Sequence, residues 1–124
     1  MLSATIYAKN LSAMVDFYQA LLGLHPLDQG ETFCTLVNET VTLTVAKIPD
    51  EIASTFEISS PPEAREHAAI KLSFTVASLD KSLAIMALHG GVANDAETAW
   101  EHNGWLHLNV VDLEGNVLQL TSPK

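Results

Sequence analysis

Lys71, His107 and Tyr7 are the residues of this chain whose types make an acid/base set: an amine, an imidazole and a phenol. A neutral lysine acts as a base or a Schiff-base amine, and a charged one binds a ligand carboxylate. A third reading is a lysine whose stem packs while its ammonium reaches water. No nucleophile elbow, phosphate-cradling glycine loop or paired zinc-binding histidines accompany them. Gly90-Gly91 is too short for a phosphate loop and reads as helix termination. The other histidines have structural readings. His25 follows a helix, and His89 ends one, where it complements the negative end of the dipole. His102 and His107 lie five apart, which on a strand sends them to opposite faces and makes them a poor pair for one ion. Cys34 falls in a β-rich segment and reads as a small buried hydrophobe.

The elements that must position these groups come in two similar sets. Residues 3–24 overlay residues 71–92 without a gap. Asn10 falls on Ser78, both good N-caps, and Gly23 on Gly91, both placed for a left-handed C′ residue. Leu11, Val15, Tyr18 and Leu22 mark one stripe of the first amphipathic helix. Residues 2–8 and 70–77 precede the helices with period-two alternation, which predicts strands. Further β-rich segments follow at roughly residues 31–37, 40–47, 92–99, 105–111 and 116–121. Asn38-Glu39 joins two of them, and the glycine of the Leu113-Glu114-Gly115-Asn116 turn suits a hairpin with a bulge. Each half therefore reads β-α-β-β-β: module 1 at about 1–47 and module 2 at about 70–124. The Pro-rich acidic stretch of about 48–69 reads as a solvated linker, with a short helical turn near residues 50–54.

The stretch Ile6-Tyr-Ala-Lys-Asn-Leu-Ser-Ala-Met-Val-Asp-Phe-Tyr-Gln-Ala-Leu-Leu-Gly-Leu24 resembles the opening strand and helix of the vicinal oxygen chelate superfamily. That group includes glyoxalase I, extradiol dioxygenases and the bleomycin and fosfomycin resistance proteins. Asp112-Leu-Glu-Gly-Asn-Val-Leu-Gln-Leu120 similarly resembles its closing hairpin, with Leu113 where proline is usual. The resemblance implies an α+β fold of two βαβββ modules in a pseudo-twofold arrangement, a curved mixed sheet around a cavity. It does not fix the chemistry.

In metal-dependent members of that superfamily, His, Glu or Gln side chains enter the cavity from the first and last strands of each module. Carried over residue by residue, those positions fall on Ser3, Thr44, Lys71 and Gln119, once a seven-residue insertion in the second half is allowed. An ammonium has no lone pair for a dication, and two hydroxyls and an amide ligate only weakly. The resemblance thus leads to an expectation of no metal and no cofactor. Shifting the alignment to make His67 a ligand is the competing reading, since an extended strand would set His67 and Lys71 on one face. Strand parity lines the cavity with Trp105, His107 and Asn109, with Thr5 and Tyr7, with Ser73 and Thr75, and with Gln119, a mixed aromatic and polar wall.

Composition limits the partners. Fifteen acidic residues against six Lys and Arg give a net charge of −9, which repels nucleic acid and anionic membrane surfaces and is compatible with a cationic ligand. No apolar run approaches the roughly 20 residues of a membrane span, and one cysteine allows no internal disulfide, pointing to the cytoplasm. The leading expectation is a metal-free homodimer that binds and sequesters a small molecule in pockets between modules. Its rivals are a metal-dependent lyase or dioxygenase with relocated ligands, a metal-free isomerase using Lys71 and His107, and a regulatory dimer with a collapsed pocket.

Overall fold

The computed structural model describes residues 2–65, 67–93 and 98–124. The chain forms two compact units, residues 1–57 and 58–124. In the first, β1 (Leu2–Ala8) leads into α1 (Leu11–Leu22), followed by β2 (His25–Gln29), β3 (Phe33–Val37), β4 (Val41–Lys47) and the short α2 (Asp50–Ala53). The sheet runs β1-β4-β3-β2, parallel between β1 and β4 and antiparallel elsewhere. Alternation in β1 does what its pattern implies: Ile6 and Ala8 are buried while Ser3, Thr5 and Tyr7 are exposed. β2 is exposed throughout, bulged beyond Pro26, and carries no alternating apolar face, so periodicity does not mark it. His25, which follows α1, opens that strand.

The helix caps are as the spacing implies at the first helix and one residue short at the second. Asn10 Oδ1 accepts the Ala13 N–H at 3.2 Å, and Gly23 is left-handed at φ 63°. The side chains buried along α1 are Met14, Phe17, Tyr18 and Leu21. Leu11, Val15 and Leu22 flank that stripe half-exposed, a rotation of the expected face by about one residue.

In the second unit, β5 (Leu72–Thr75), α3 (Leu79–His89), β6 (Val92–Ala93), β7 (Trp100–His102), β8 (Trp105–Val111) and β9 (Val117–Pro123) follow in order. The sheet runs β5-β9-β8-β6 with β7 also on β8; β5 and β9 are parallel. The left-handed residue after α3 is Gly90, φ 85°, not Gly91, because this helix closes its last turn one residue early. β5 is shorter than residues 70–77, so Lys71 flanks it and exposed His67 lies outside any strand; the extended ladder that would align them is absent among the described residues. The expected strand at 92–99 is present only at Val92–Ala93, and residues 94–97 lie outside the described ones.

β7 and β8 form a hairpin through Asn103 and Gly104, φ 51° and 80°, both positive as a type I′ turn requires. The turn reverses the chain between His102 and His107, and Trp100 pairs with His107 and His102 with Trp105. His102 and His107 therefore share a face; parity along one continuous strand does not apply across a turn.

The β8–β9 turn is built on Asp112, fully buried. Its Oδ1 accepts the N–H groups of Glu114 and Asn116 at 2.9 and 3.0 Å, and its Oδ2 accepts Asn116 Nδ2–H at 2.8 Å. Gly115, φ 90°, accepts the Arg65 N–H, and a Cβ there would stand 2.5 Å from the Glu63 carbonyl oxygen. Part of the expected solvated linker is thus anchored: residues 63–65 lie along this turn, and α2 folds at residues 50–53.

Ladder register verifies the repeat. Thr5 pairs with Thr44 and Ser73 with Gln119, so the last strand follows the first by 39 residues in one unit and 46 in the other, a difference of seven.

Candidate functional site

Each sheet presents one face that its helix does not cover. In the second unit, Phe74, Leu108, Val110, Leu118 and Leu120 are buried on the helical side. The alternate residues make the open face. Two cross-strand rows organise it: Ser73, Gln119 and Asn109 in one, Thr75, Thr121, His107 and Trp100 in the next.

Hydrogen bonds tie these rows together. Ser73 Oγ–H donates to Gln119 Oε1 at 3.2 Å, and Gln119 Nε2–H donates to His107 Nδ1 at 2.9 Å. Thr121 Oγ1 lies 3.0 Å from the same nitrogen. Because an amide N–H only donates, Nδ1 is an acceptor and the ring proton of the neutral imidazole resides on Nε2. Trp100 stacks on the other side of this arrangement, its ring centroid 5.4 Å from that of His107 and the planes 18° apart. Lys71 Nζ donates to Asn109 Oδ1 at 3.1 Å. Trp105, 40% exposed, stands at the hairpin end of β8.

The structure thus brings together Lys71, Ser73, His107 and Gln119 on one face with Trp105, as strand parity implies. Trp100 and Thr121 join them without having been expected. The signal for Trp100 was the Asn103-Gly104 pair, which makes it the cross-strand partner of His107; for Thr121 it was simple alternation from Gln119.

In the first unit, Ser3, Thr5 and Tyr7 share the open face of β1, with Thr44 and Thr35 beside them. Thr35 and Thr44 hydroxyls lie 2.9 Å apart. This face carries hydroxyls and a phenol but no charge on β1, β3 or β4. A cleft of about 620 Å³ lies elsewhere in the unit, between the start of α1 and the β2–β3 turn, among Lys9, Asn10, Asp16, Glu31, Lys47 and Cys34. Both of its lysines are engaged: Lys9 donates to the Phe56 carbonyl and lies over the Phe56 ring, and Lys47 pairs with Asp50 at 3.3 Å. Burial, with a smaller contribution from the Asp28 carboxylate, pushes the Cys34 thiol above the ordinary range, so it is a poor nucleophile.

The four positions at which the superfamily's metal ligands would stand do not suit a divalent cation. Lys71 is a donor to Asn109, the Gln119 amide is engaged by Ser73 and His107, and Thr44 is engaged by Thr35. Ser3 is an exposed hydroxyl. Among the described residues, no three His, Cys, Asp or Glu side chains gather into a ligand set.

The fold recurs in solved structures. A glyoxalase/bleomycin resistance protein/dioxygenase family enzyme from Burkholderia phytofirmans PsJN is 19% identical, with a TM-score of 0.73 over 98% of this chain and 97% of that one. A glyoxalase/bleomycin resistance protein from Albidiferax ferrireducens T118 is 16% identical, TM-score 0.70, over 100% and 98%. The fosfomycin resistance protein FosX from Mesorhizobium loti is 7% identical, TM-score 0.70, over 100% and 92%. Identities this low speak for fold alone. No curated protein matches the sequence. The profile of the glyoxalase/bleomycin resistance protein/dioxygenase superfamily matches residues 1–122, nearly the whole chain. With the duplicated strand-helix-sheet units, that match places this protein in the glyoxalase/bleomycin resistance protein/dioxygenase superfamily.

Proposed function

We propose that this protein binds a small molecule without a metal and acts by sequestration, as a homodimer in the cytoplasm. The observation that carries the reading is the hydrogen-bonded set Ser73, Gln119, His107 and Thr121, held on an open sheet face beside Lys71, Trp100 and Trp105. Fixed polar groups among aromatic surface are what a ligand site requires, and their mutual bonds orient them before a ligand arrives.

The same bonds weigh against acid/base catalysis. The lone pair of His107 Nδ1 is taken by Gln119, Nε2 carries the proton, and Lys71 donates to Asn109. Neither nitrogen is set up as a base. Binding without bond-making is also what the bleomycin resistance members of the superfamily represent.

The test is a thermal-shift screen over a broad metabolite set, with turnover assays on glutathione hemithioacetal and catechols run alongside. Binding without turnover is expected, seen as a ligand-dependent rise in Tm. Turnover of either substrate class, or no stabilisation by any compound, overturns the proposal.

A further inference from the structure

The open face of the second unit carries a charge signature unlike that of the chain as a whole, and it names a ligand class for the binding reading on which it rests. The chain has fifteen acidic residues. Among the described residues, none lies on this face. Glu101 pairs across with Leu106, turns to the other side of β7 and is bonded to Lys124 at 2.8 Å. Asp112 and Glu114 are buried in the turn beyond β8.

The hydrogen-bonding inventory points the same way. The amide and imidazole acceptors of the face are already used: Asn109 Oδ1 by Lys71, Gln119 Oε1 by Ser73, and His107 Nδ1 by Gln119. Lys71 has three N–H donors and spends one of them on Asn109, while His107 keeps its Nε2–H. Each amide oxygen keeps one lone pair, but the unused N–H donors of Lys71, His107, Asn109 and Gln119 outnumber those sites. A ligand rich in acceptors therefore suits the face, and the ammonium favours one that brings negative charge. A cationic ligand, which the overall charge of the chain suggests, would meet a lysine and, among the described residues, no carboxylate.

Beside these donors stand Trp100 and Trp105, both about 40% exposed. Asn109 and Trp105 are four residues apart on β8, a span of roughly 13 Å. A fused or single aromatic ring with a carboxylate at one end fits within that length. We infer that this face takes a planar aromatic carboxylate, its anionic end at Lys71 and Asn109 and its ring toward His107 and Trp105.

The experiment compares 2-naphthoate with the neutral 2-naphthamide and the cationic 2-naphthylmethylammonium. Affinities come from calorimetry, and the two tryptophan indole N–H signals report where each probe binds. The naphthoate is expected to bind about tenfold or more tightly than the amide, the scale of a charge-assisted hydrogen bond. Lys71→Met should abolish that margin by weakening the acid much more than the amide, and Lys71→Arg should keep most of it. Equal binding of amide and acid, or preference for the ammonium, overturns the anionic assignment and leaves small-molecule binding standing. Silence from all three probes at millimolar concentration overturns the aromatic class. Only silence across the broad metabolite screen removes the binding reading itself.

Discussion

His107 shows how one bond decides what a side chain can do. Its place on the open face follows from alternation along β8, but a neutral imidazole there has two tautomers. The Gln119 amide N–H, which only donates, selects the tautomer with hydrogen on Nε2. Nitrogen-15 spectra of histidine-labelled protein should therefore give His107 the Nε2–H pattern, and Gln119→Ala should allow the two tautomers to mix. A dominant Nδ1–H form in the parent protein would refute the donor arrangement. Cys34 makes a second prediction. Its thiol is raised, chiefly by burial and then by Asp28, so the thiolate is better tolerated in the unfolded chain. The sign follows directly: this contribution is fully present below the ordinary thiol pKa and is lost as pH rises from there toward the folded value. Urea midpoints should thus fall more steeply on the alkaline side for the parent protein than for Cys34→Ala. Iodoacetamide should label Cys34 much more slowly in folded than in urea-unfolded protein at pH near 8.

Among the elements, the turns separate two uses of glycine that look alike in sequence. Gly104 and Gly115 both have positive φ, 80° and 90°. A Cβ on Gly104 meets nothing within 4 Å, whereas one on Gly115 would stand 2.5 Å from the Glu63 carbonyl oxygen. Gly104→Ala should cost about 1 kcal/mol, the backbone strain alone. Gly115→Ala should cost clearly more in the same chemical denaturation, because residues 63–65 must also move. The Asn10 cap gives a reference value: Asn10→Ala should lose about 1 kcal/mol. The helices, their N-caps and the first C-cap were legible because a cap and a 3.6-residue stripe are local patterns; the second C-cap fell on Gly90 beside the expected Gly91. The stripe of α1 was displaced by about one residue because Leu11 and Val15 border a cleft instead of the core. β2 was illegible for the opposite reason. It is exposed along its length and held by pairing to β3, so no buried face writes an alternation into it.

For the molecule as a whole, charge is informative only once it is placed. A net −9 discourages nucleic acid as a partner, yet it misdescribes the one sheet face on which Lys71 stands. No helix among the described residues is long and apolar enough to cross a membrane. Superfamily membership raises the question of a metal, and at Ser3, Thr44, Lys71 and Gln119 the chain offers a dication an ammonium and three neutral groups. Dialysis against zinc, nickel or manganese followed by elemental analysis should leave well under one ion per chain. A full equivalent, lost together with stability on chelation, would contradict that expectation.

The repeat, the two helices, the α+β class and the superfamily were all determined by residues close together in sequence, since caps, periodicity and the Asp-x-Glu-Gly-Asn turn are short-range signals. Even the seven-residue offset between the halves could be read by aligning them. What tertiary structure decided was which of these residues meet. Trp100 lies against His107 and His102 shares its face because the 103–104 turn folds β7 back on β8. Ser73 and Gln119 reach that face, and residues 63–65 close over Gly115, through pairings between segments far apart in sequence. Cross-strand neighbours are set by hairpin reversals and ladder register, and a shift of one residue would have turned every one of these side chains to the other face.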